Sequence, residues 1–448
     1  MDIIAPRLPK GMRDVLPGKM GYRRYVLEVM ERTFAEFGFE PLITPAVELE
    51  EILLGKGGSE ADRLMYNVQH TGGKEKLGLR YDLTVPLSRV VAAYPELIKP
   101  FRRYQIAPVW RAERPQKGRY REFYQCDADI VGSRSMLADA EIIALIFTAL
   151  TRLGFSRFVT VLNHRKVLAG IGQHVGVSVE RLPRLYRSID KLDKIGRDAV
   201  RDELRKGEFS EAVVDRILGL LRPIEGPAPG LDDLRVEVGK DSLAMEGISE
   251  LQELLSYLPS LGVSAEAVRV DLSMVRGLDY YTGPIYETLV EEPRIGSITG
   301  GGRYDGLVGR FALQGYPATG TTLGIERIID VMEELDMFPT DVGATQVQVL
   351  VTVFGQEQLH QTLRLSRELR LAGLRCEVYY GQDPLGNQIR YALKKGVPCV
   401  VIAGPDELAA GLVTLRDLRH QRQETVGLDQ AVERLQEWLQ PSTGRLDC

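Results

Sequence analysis

Apolar positions near the start of the chain recur every three or four residues, which predicts an amphipathic helix. These positions are Val26, Val29, Met30, Phe34 and Phe37. Gly38 follows them where such a helix would end. Residues 39–45, with sequence FEPLITP, are β-prone but include two prolines. Because proline cannot donate a hydrogen bond within a sheet, we predict an edge or interface strand there.

Two later stretches alternate between apolar and polar positions in the manner of strands. Residues 105–111 and 121–131 predict an antiparallel pair joined by a basic loop through 114–118. A helix is predicted at about 137–153, with Gly154 at its end. Further strand-like segments lie at 268–274, 285–290 and 297–299.

A charged stretch at 181–222 interrupts these strands. It mixes basic and acidic residues with Leu and Ile at helical spacings. The segment 222–230, with sequence RPIEGPAPG, breaks regular structure and would reconnect the chain to the main domain. The pattern predicts an inserted helical subdomain.

The pattern changes after residues 338–343. Strands are predicted at 347–353, 374–380, 397–403 and 412–418, and helices near 357–372, near 388–395 and at the end up to Leu439. Short strands that alternate with helices indicate a separate α/β domain with a largely parallel sheet.

The composition fits several folded domains. With 448 residues, 44% hydrophobic and 27% charged, the chain is long enough for two or three domains, each with its own core. The net charge of -5 argues against a surface coated with basic residues. Any contact with nucleic acid must therefore be local.

Neither a metal site nor a disulfide framework is indicated. The four cysteines form no C-x-x-C pair, and the five histidines form no H-E-x-x-H spacing. The N-terminus lacks the pattern of a signal peptide, and no apolar run approaches the ~20 residues needed to cross a bilayer. We therefore expect a reduced, cytoplasmic protein with no membrane association.

The predicted hairpin concentrates positive charge. Residues 102–121 include seven Lys or Arg and one acidic residue, Glu113. An arginine guanidinium can donate two hydrogen bonds to the oxygens of one phosphate. Phe123 would share a strand face with Arg121 and offer adenine a stacking surface. A triphosphate is the simplest partner, but a solvated basic hairpin explains these residues equally well.

Three other segments carry charge, aromatic residues or glycine in unusual combinations. Residues 276–281, RGLDYY, follow a predicted strand and form either a binding site or a turn that packs two tyrosines into a core; the residues alone favour the turn. Residues 300–306, GGGRYDG, are not a P-loop, so their glycines indicate close approach to a ligand or simple chain geometry. Arg327 starts an apolar helix and suits a phosphate, an adenine ring or a surface salt bridge.

Several side chains could accept hydrogen bonds from a ligand's ammonium group. Asp82 and Thr84 would share one face of a strand, and Gln125 adds an amide oxygen. Asp82 could equally cap a helix that begins near Val85. Asp129 is either a ligand-binding carboxylate or a strand residue that faces solvent.

Segments 111–123, 276–281 and 300–306 together resemble the signature elements of the histidyl-tRNA synthetases, a class II aminoacyl-tRNA synthetase family. The resemblance extends over nearly the whole chain. The helix and strand up to Pro45 resemble motif 1, residues 111–123 resemble motif 2, and residues 320–327 resemble motif 3.

The resemblance implies an α+β fold and three parts of the chain. Residues 1–330 would form a class II catalytic core built on an antiparallel sheet, with a helical insertion at about 170–235. Residues 331–345 would be a linker, and residues 346–448 an anticodon-binding α/β domain.

The resemblance also implies roles for individual residues. Arg276 and Arg111 would be catalytic and act on the α-phosphate of ATP. The residues that would bind histidine are Asp82, Thr84, Gln125, Asp129, Tyr280, Tyr281 and Tyr304. The residues that would bind ATP are Arg111, Glu113, Arg119, Phe123 and Arg327. Gln116 and Lys117 would contact the tRNA acceptor end.

The implied reaction joins L-histidine to tRNA(His) through a histidyl-adenylate. ATP is the implied co-substrate, and magnesium would accompany it, held chiefly by phosphate oxygens and water. Motif 1 implies a homodimer. For the anticodon, the C-terminal domain offers charged and aromatic side chains at Arg375, Tyr379, Tyr380, Arg390, Tyr391, Lys394 and Lys395.

Two other classes share this core. One is a regulatory paralogue, similar to the accessory subunit of ATP phosphoribosyltransferase, which usually lacks the anticodon domain. The other is a relative that binds tRNA without charging it. The retained Arg111, Arg276 and Arg327, together with the C-terminal domain, argue against both.

Overall fold

The computed structural model divides the chain into two compact units. The first comprises Met1–Arg13 and Val26–Met337, and the second comprises Asp14–Tyr25 and Phe338–Cys448. The residues that the structure describes are 4–54, 61–115, 118–221, 229–239, 242–275, 280–312, 314–340, 342–343 and 345–440.

A large sheet forms the centre of the first unit. Its strands are β1 Glu40–Pro41, β5 Phe101–Trp110, β6 Glu122–Val131, β7 Phe158–His164, β8 Val268–Val270, β9 Pro284–Val290, β10 Thr299–Arg303 and β11 Ala318–Leu323. They run in the order β1-β5-β6-β11-β10-β9-β7-β8. The two pairings at the sheet edges, β1 with β5 and β7 with β8, are parallel, and the pairings between them are antiparallel. The predicted α+β class with an antiparallel core is confirmed.

Smaller elements complete the chain up to residue 337. A three-stranded sheet contains β2 Val47–Leu49, β3 Tyr66–Val68 and β4 Leu77–Leu79. The helices up to residue 337 are α1 Pro17–Glu36, α2 Glu50–Leu54, α3 Ala61–Leu64, α4 Thr84–Ala93, α5 Met136–Arg152, α6 Arg165–His174, α7 Leu182–Ile189, α8 Leu192–Lys206, α9 Glu211–Leu220, α10 Pro229–Val238, α11 Ser242–Tyr257 and α12 Ile325–Glu334. Helices α6 to α11 lie between β7 and β8; the insertion predicted at about 170–235 includes α7 to α9 and most of α10, whereas α11 lies beyond it.

Helix α5 packs against one face of the large sheet. Ser135 caps its start by accepting a hydrogen bond from the Leu137 amide at 3.2 Å. Its buried carboxylate, Asp139, pairs with the Arg303 guanidinium of β10. The predicted helix at 137–153 is therefore confirmed, and a buried ion pair attaches it to the sheet.

Two predicted strands end elsewhere than the sequence suggested. The strand predicted at 268–274 stops at Val270, because Asp271 turns the chain by accepting hydrogen bonds from the Ser273 amide at 2.9 Å and its hydroxyl at 2.6 Å. The strand predicted at 297–299 runs instead over Thr299–Arg303, so the glycines at 300–302 lie within a strand.

The second unit contains a five-stranded sheet in the order β13-β12-β14-β15-β16. Its strands are β12 Val349–Val351, β13 Cys376–Val378, β14 Cys399–Ile402, β15 Leu412–Asp417 and β16 Arg422–Gly427, and its helices are α13 Gln356–Leu371, α14 Leu385–Lys395, α15 Pro405–Ala409 and α16 Ala431–Leu439. The expected largely parallel sheet is only half right, since β15 and β16 pair antiparallel. Strand β16 was not predicted, because its residues are mostly polar and exposed.

Among the described residues, no helix is both long enough and apolar enough to cross a membrane.

We predict opposite effects for two adjacent glycines of β10. A Cβ on Gly301 would lie 2.5 Å from the Tyr286 ring and 2.8 Å from the Thr321 Cα, whereas a Cβ on Gly300 would meet no atom of the described residues within 4 Å. Gly301→Ala should therefore lower the free energy of unfolding by about 2 kcal/mol through overpacking. Gly300→Ala should change it by less than about 0.5 kcal/mol.

Urea unfolding measures both variants. Trp110 lies in the first unit and Trp438 in the second, so Trp110 fluorescence in a Trp438→Phe background reports the first unit. Equal destabilisation by the two alanines would contradict the alternation of faces along β10.

Candidate active site

One face of the large sheet collects polar side chains. In the β5–β6 register Arg103 stands opposite Asp129 and Gln105 opposite Asp127, and in the β6–β11 register Gly320 stands opposite Asp129. Residues directly opposite each other share a face, as do alternate residues of one strand. This face therefore carries Arg103, Gln105, Phe123, Gln125, Asp127, Asp129, Gly320 and Thr322.

Asp129 is held from both sides. Its Oδ2 lies 2.8 Å from Nη2 of the fully buried Arg103, and its Oδ1 accepts a hydrogen bond from the Tyr304 hydroxyl. Gly320 makes room for it, because a Cβ there would lie 2.5 Å from the Asp129 Cγ. Burial raises the pKa of Asp129, and the charge of Arg103 opposes that rise. The alternative that Asp129 faces solvent is wrong, since it is 3% exposed.

Asp82 and Thr84 are not on a strand, so the prediction that they share a strand face is wrong. Strand β4 ends at Leu79, and Thr84 is the first residue of α4. Asp82 accepts a hydrogen bond from the Val85 amide at 3.0 Å, which confirms the capping alternative. Its other oxygen, Oδ2, is buried and has no hydrogen-bond partner among the described residues. Burial raises the pKa of Asp82 to about 6.

Three tyrosines adjoin this acidic group. The Tyr280 ring centroid lies 4.8 Å from that of Tyr281 and 5.8 Å from that of Tyr304. Gly302 leaves space for Tyr281, since a Cβ there would lie 2.9 Å from the ring. Burial raises the pKa of all three hydroxyls, so they stay protonated at neutral pH. The tyrosines therefore both pack a core and supply hydroxyl groups beside Asp129.

The β5–β6 hairpin places arginine beside an aromatic ring. The Arg111 guanidinium lies 5.1 Å from the centre of the Phe123 ring, and its Nε donates to the Tyr81 carbonyl at 2.9 Å. Arg121 instead supports the loop, because its Nε donates to the Glu113 carbonyl at 3.0 Å.

Beyond this point the hairpin borders a cavity of about 520 Å³. The cavity is lined by Glu113, Arg114, Pro115 and Arg119. Arg119 lies 3.4 Å from the Glu113 carboxylate. The lining thus holds two guanidinium groups, which suit phosphate, and one carboxylate, which can only accept hydrogen bonds. Gln116 and Lys117 lie outside the described residues.

Arg327 lies in the first turn of α12, close to the hairpin loop. Its Nη1 donates to the Ser297 carbonyl, and a Cβ on Gly118 would lie 3.8 Å from its side chain. The structure therefore brings the motif 2 and motif 3 segments together.

Arg276, with residues 277–279, lies outside the described residues, so its position stays a prediction. Both neighbouring segments attach to the end of β7. Asn163 donates to the Met274 carbonyl at 2.9 Å, and the Arg165 amide donates to the Gly283 carbonyl at 3.0 Å.

Two charged residues of this face, Asp127 and Arg103, were missed by the sequence interpretation. Asp127 could have been found, because Gln125, Asp127 and Asp129 alternate along one strand and must share a face. Arg103 could not, because its place opposite Asp129 depends on strand register. Burial raises the pKa of Asp127 to about 7, opposed by the charge of Arg103.

The arrangement joins two kinds of surface. One is a buried cluster of carboxyl and tyrosine side chains, whose acceptors suit a small ligand that carries an ammonium group. The other is a basic and aromatic hairpin, which suits a nucleoside triphosphate. Among the described residues, no group of three or more His, Cys, Asp or Glu side chains is arranged to hold a metal ion.

Two family models match this chain. A family model described as histidyl-tRNA synthetase matches residues 11–328, and one described as an anticodon binding domain matches residues 346–438. A histidine–tRNA ligase of Aeropyrum pernix is 43% identical over 97% of this chain and 98% of its own length. That of Gloeobacter violaceus is 42% identical over 93% of this chain and 96% of its own length.

Solved structures show the same likeness. The histidyl-tRNA synthetase from Nostoc sp. PCC 7120 is 32% identical, with a TM-score of 0.88 over 98% of this chain and 100% of that one. A Bacillus halodurans protein, described as an ATP phosphoribosyltransferase regulatory subunit/histidyl-tRNA synthetase, is 23% identical, with a TM-score of 0.73 over 90% of this chain and 99% of that one. At that identity the second structure shows the fold alone.

The buried carboxyls predict a specific dependence of stability on pH. Asp has a pKa of about 3.9 in an unfolded chain, whereas burial raises that of Asp82 to about 6 and that of Asp127 to about 7. Their contribution to stability is therefore present below about pH 4 and is lost as the pH rises through the folded-state values. Asp127→Asn should make the free energy of unfolding of the ligand-free protein fall less between about pH 5 and about pH 8.

The measurement is urea unfolding at both pH values, followed through Trp110. The matched control is Asp198→Asn, at an exposed position of the same unit, which should leave the pH dependence as in the unaltered chain. An identical pH dependence with and without the Asp127 carboxyl would refute the expectation.

Proposed function

The chain belongs to the histidyl-tRNA synthetase family, and from this premise we propose that it joins L-histidine to tRNA(His) with ATP, through a histidyl-adenylate. The observation that carries the proposal is the family match over residues 11–328. Within this range, one sheet face brings a group of acidic side chains next to a basic, aromatic hairpin. Such a site can hold an amino acid and a nucleotide side by side.

The ammonium group of histidine would bind at Asp82, Thr84 and Gln125. Two buried acceptors support this placement: Oδ2 of Asp82 and Oε1 of Gln125 have no hydrogen-bond partner among the described residues. A buried acceptor without a partner is costly, so a ligand that donates to both would be favoured.

The imidazole ring would lie between a carboxylate and a tyrosine hydroxyl. Asp129 would accept from one ring nitrogen, and Tyr281 would meet the other, with Tyr280 and Tyr304 completing the wall. The ion pair with Arg103 and the hydrogen bond from Tyr304 support this role, because they hold the Asp129 carboxylate in place before any ligand arrives.

ATP would lie along the hairpin. Phe123 would stack on adenine, Glu113 would contact the adenine end, and Arg119 and Arg327 would bind the nucleotide. Arg111 would hold both the α-phosphate and the histidine carboxylate, which would bring the reacting groups together. The position of Arg111 over Phe123 supports this arrangement, since it borders both the pocket and the hairpin.

The reaction would proceed in two steps. A histidine carboxylate oxygen attacks the α-phosphorus, the bond to the bridging oxygen breaks, and pyrophosphate leaves. The terminal ribose hydroxyl of tRNA then attacks the activated carbonyl, loses its proton, and displaces AMP. Arg276 would stabilise the negative charge that builds on the α-phosphate in the first step.

Magnesium would enter with ATP. The two guanidinium groups of the cavity suit phosphate oxygens, and its single carboxylate does not form a metal cage, so the ion would be held chiefly by the phosphates and water. Its charge would offset that of the departing pyrophosphate.

The remaining proposals concern domains and partners. Residues 1–330 would be the catalytic domain, with an insertion at about 170–235, and residues 346–448 would bind the anticodon after a linker at 331–345. Tyr380, which is 98% exposed, supports a stacking surface for RNA. Gln116 and Lys117 would contact the acceptor end.

A homodimer through the motif 1 region completes the proposal. Ile43 in this region is 85% exposed, and such an apolar side chain suits burial against a second copy. We also propose the cytoplasm as the place of this activity, because the substrates ATP and tRNA are found there.

ATP–pyrophosphate exchange with each of the twenty amino acids tests the proposed function. We expect exchange with histidine alone, because the pocket pairs a carboxylate and a tyrosine hydroxyl for two ring nitrogens. Absence of exchange with every amino acid, in folded protein that still binds tRNA, would point to a regulatory or sensing relative instead.

Arg276→Ala tests the proposed catalytic arginine. It should lower histidine-dependent exchange by a factor of about 10² or more, as loss of a transition-state charge partner does, and leave the thermal midpoint unchanged. The matched control is Arg269→Ala on β8, whose side chain is 44% exposed and should be dispensable. If Arg276→Ala exchanges pyrophosphate as fast as Arg269→Ala, Arg276 has no role in the mechanism.

A further inference from the structure

Asp127 lies in the proposed histidine pocket and has no role in the mechanism above. It is 3% exposed, and it stands on β6 between Gln125 and Asp129. Across the strands it faces Gln105 of β5 and Thr322 of β11. A buried carboxyl in this position needs an explanation, because burial disfavours its charged form.

The Gln125 amide nitrogen is directed toward two acceptors. It lies 3.4 Å from Oδ1 of Asp127 and 3.4 Å from Oγ1 of Thr322. The amide oxygen of Gln125 is buried and has no hydrogen-bond partner among the described residues. The side chain is therefore held by its nitrogen, and its oxygen is left for another donor.

An ionised carboxylate determines which way this amide points. It can only accept hydrogen bonds, so it attracts the nitrogen of a neighbouring amide and repels the oxygen. An amide turned the other way would place its own N–H groups against an incoming ammonium. Asp127 thus fixes the orientation in which Gln125 can serve as an acceptor.

The charges around Asp127 agree with this role. Arg103 on β5 is its cationic neighbour, while Asp129 on β6 and Asp82 before α4 are both acidic. The Thr322 hydroxyl bonds to Asp127 and favours its ionised form. Three carboxyls face one buried guanidinium, so an arriving ammonium would favour the ionised state of all three.

We propose that Asp127 is a positioning residue for histidine: it holds the Gln125 amide so that the amide oxygen faces the α-ammonium group. This inference rests on the proposed function, because it requires histidine in this pocket. The recognised chemistry is a primary ammonium, and Asp127 acts on it through Gln125.

Asp127→Asn is the first variant, because asparagine keeps the shape but can present either a donor or an acceptor. In pyrophosphate exchange, the KM for histidine should rise about tenfold, the size of one lost bond to a charged group. The KM for ATP and kcat should stay within about twofold, since neither depends on the ammonium contact. The thermal midpoint should stay equal or rise, because a buried charge is removed; a purely structural Asp127 would instead lower it.

A double-variant cycle shows whether Asp127 acts through Gln125. If it does, Gln125→Ala with Asp127→Asn should raise the KM for histidine no more than Gln125→Ala alone. If the KM increases of the two single variants multiply in the double variant, the two residues act independently and the proposal is overturned.

Two competing ligands separate the ammonium group from the ring. Histidinol keeps the ammonium, so its inhibition constant should rise about tenfold in Asp127→Asn. Imidazolepropionic acid lacks the ammonium and should inhibit both forms equally. If the inhibition constants of both ligands rise equally in Asp127→Asn, the variant disturbs the pocket in general and the proposal is overturned. Failure of the unaltered chain to exchange with histidine would instead overturn the proposed function, and this inference with it.

Discussion

The contact between Arg103 and Asp129 is the interaction on which the histidine pocket depends. Both side chains are buried, and the ion pair, at 2.8 Å, links the first part of β5 to the last part of β6. Arg103 also donates to the Leu83 carbonyl at 3.2 Å, which ties the turn that carries Asp82 to the same point. Tyr304 reaches Asp129 from the chain that follows β10. One buried ion pair thereby fixes groups from four separate segments. Removal of either partner would leave a buried charge uncompensated.

Glycine determines how closely these segments approach. Gly320 leaves room for the Asp129 carboxylate, Gly302 for the Tyr281 ring, and Gly301 for Tyr286 on the opposite face. The glycine-rich strand therefore acts through close packing of side chains, while its backbone stays in the ladder with β9 and β11. The acidic pocket and the basic hairpin can then lie on one continuous sheet face.

The sequence was sufficient for elements whose pattern is local. The β5–β6 pair, helix α5 and the edge position of β1 followed from periodicity and proline placement, and the family resemblance supplied the fold. What it could not supply depends on register and on turns. The opposition of Arg103 to Asp129 requires knowing which residues pair. The early end of β8 depends on Asp271 binding its own backbone neighbours, and the placing of Asp82 depends on a helix that starts two residues later, at Thr84.

Gly300 differs from its glycine neighbours in what would preserve it over generations. Within the part of the chain that the structure describes, no atom lies within 4 Å of its missing Cβ, so packing against these residues exerts no pressure to retain it. Gly301 is retained by packing whether or not the site is used. In a lineage that kept this fold for another purpose, position 300 would be free to drift while position 301 stayed glycine. The fold itself therefore limits substitution at position 301, whereas packing among the described residues does not limit it at position 300.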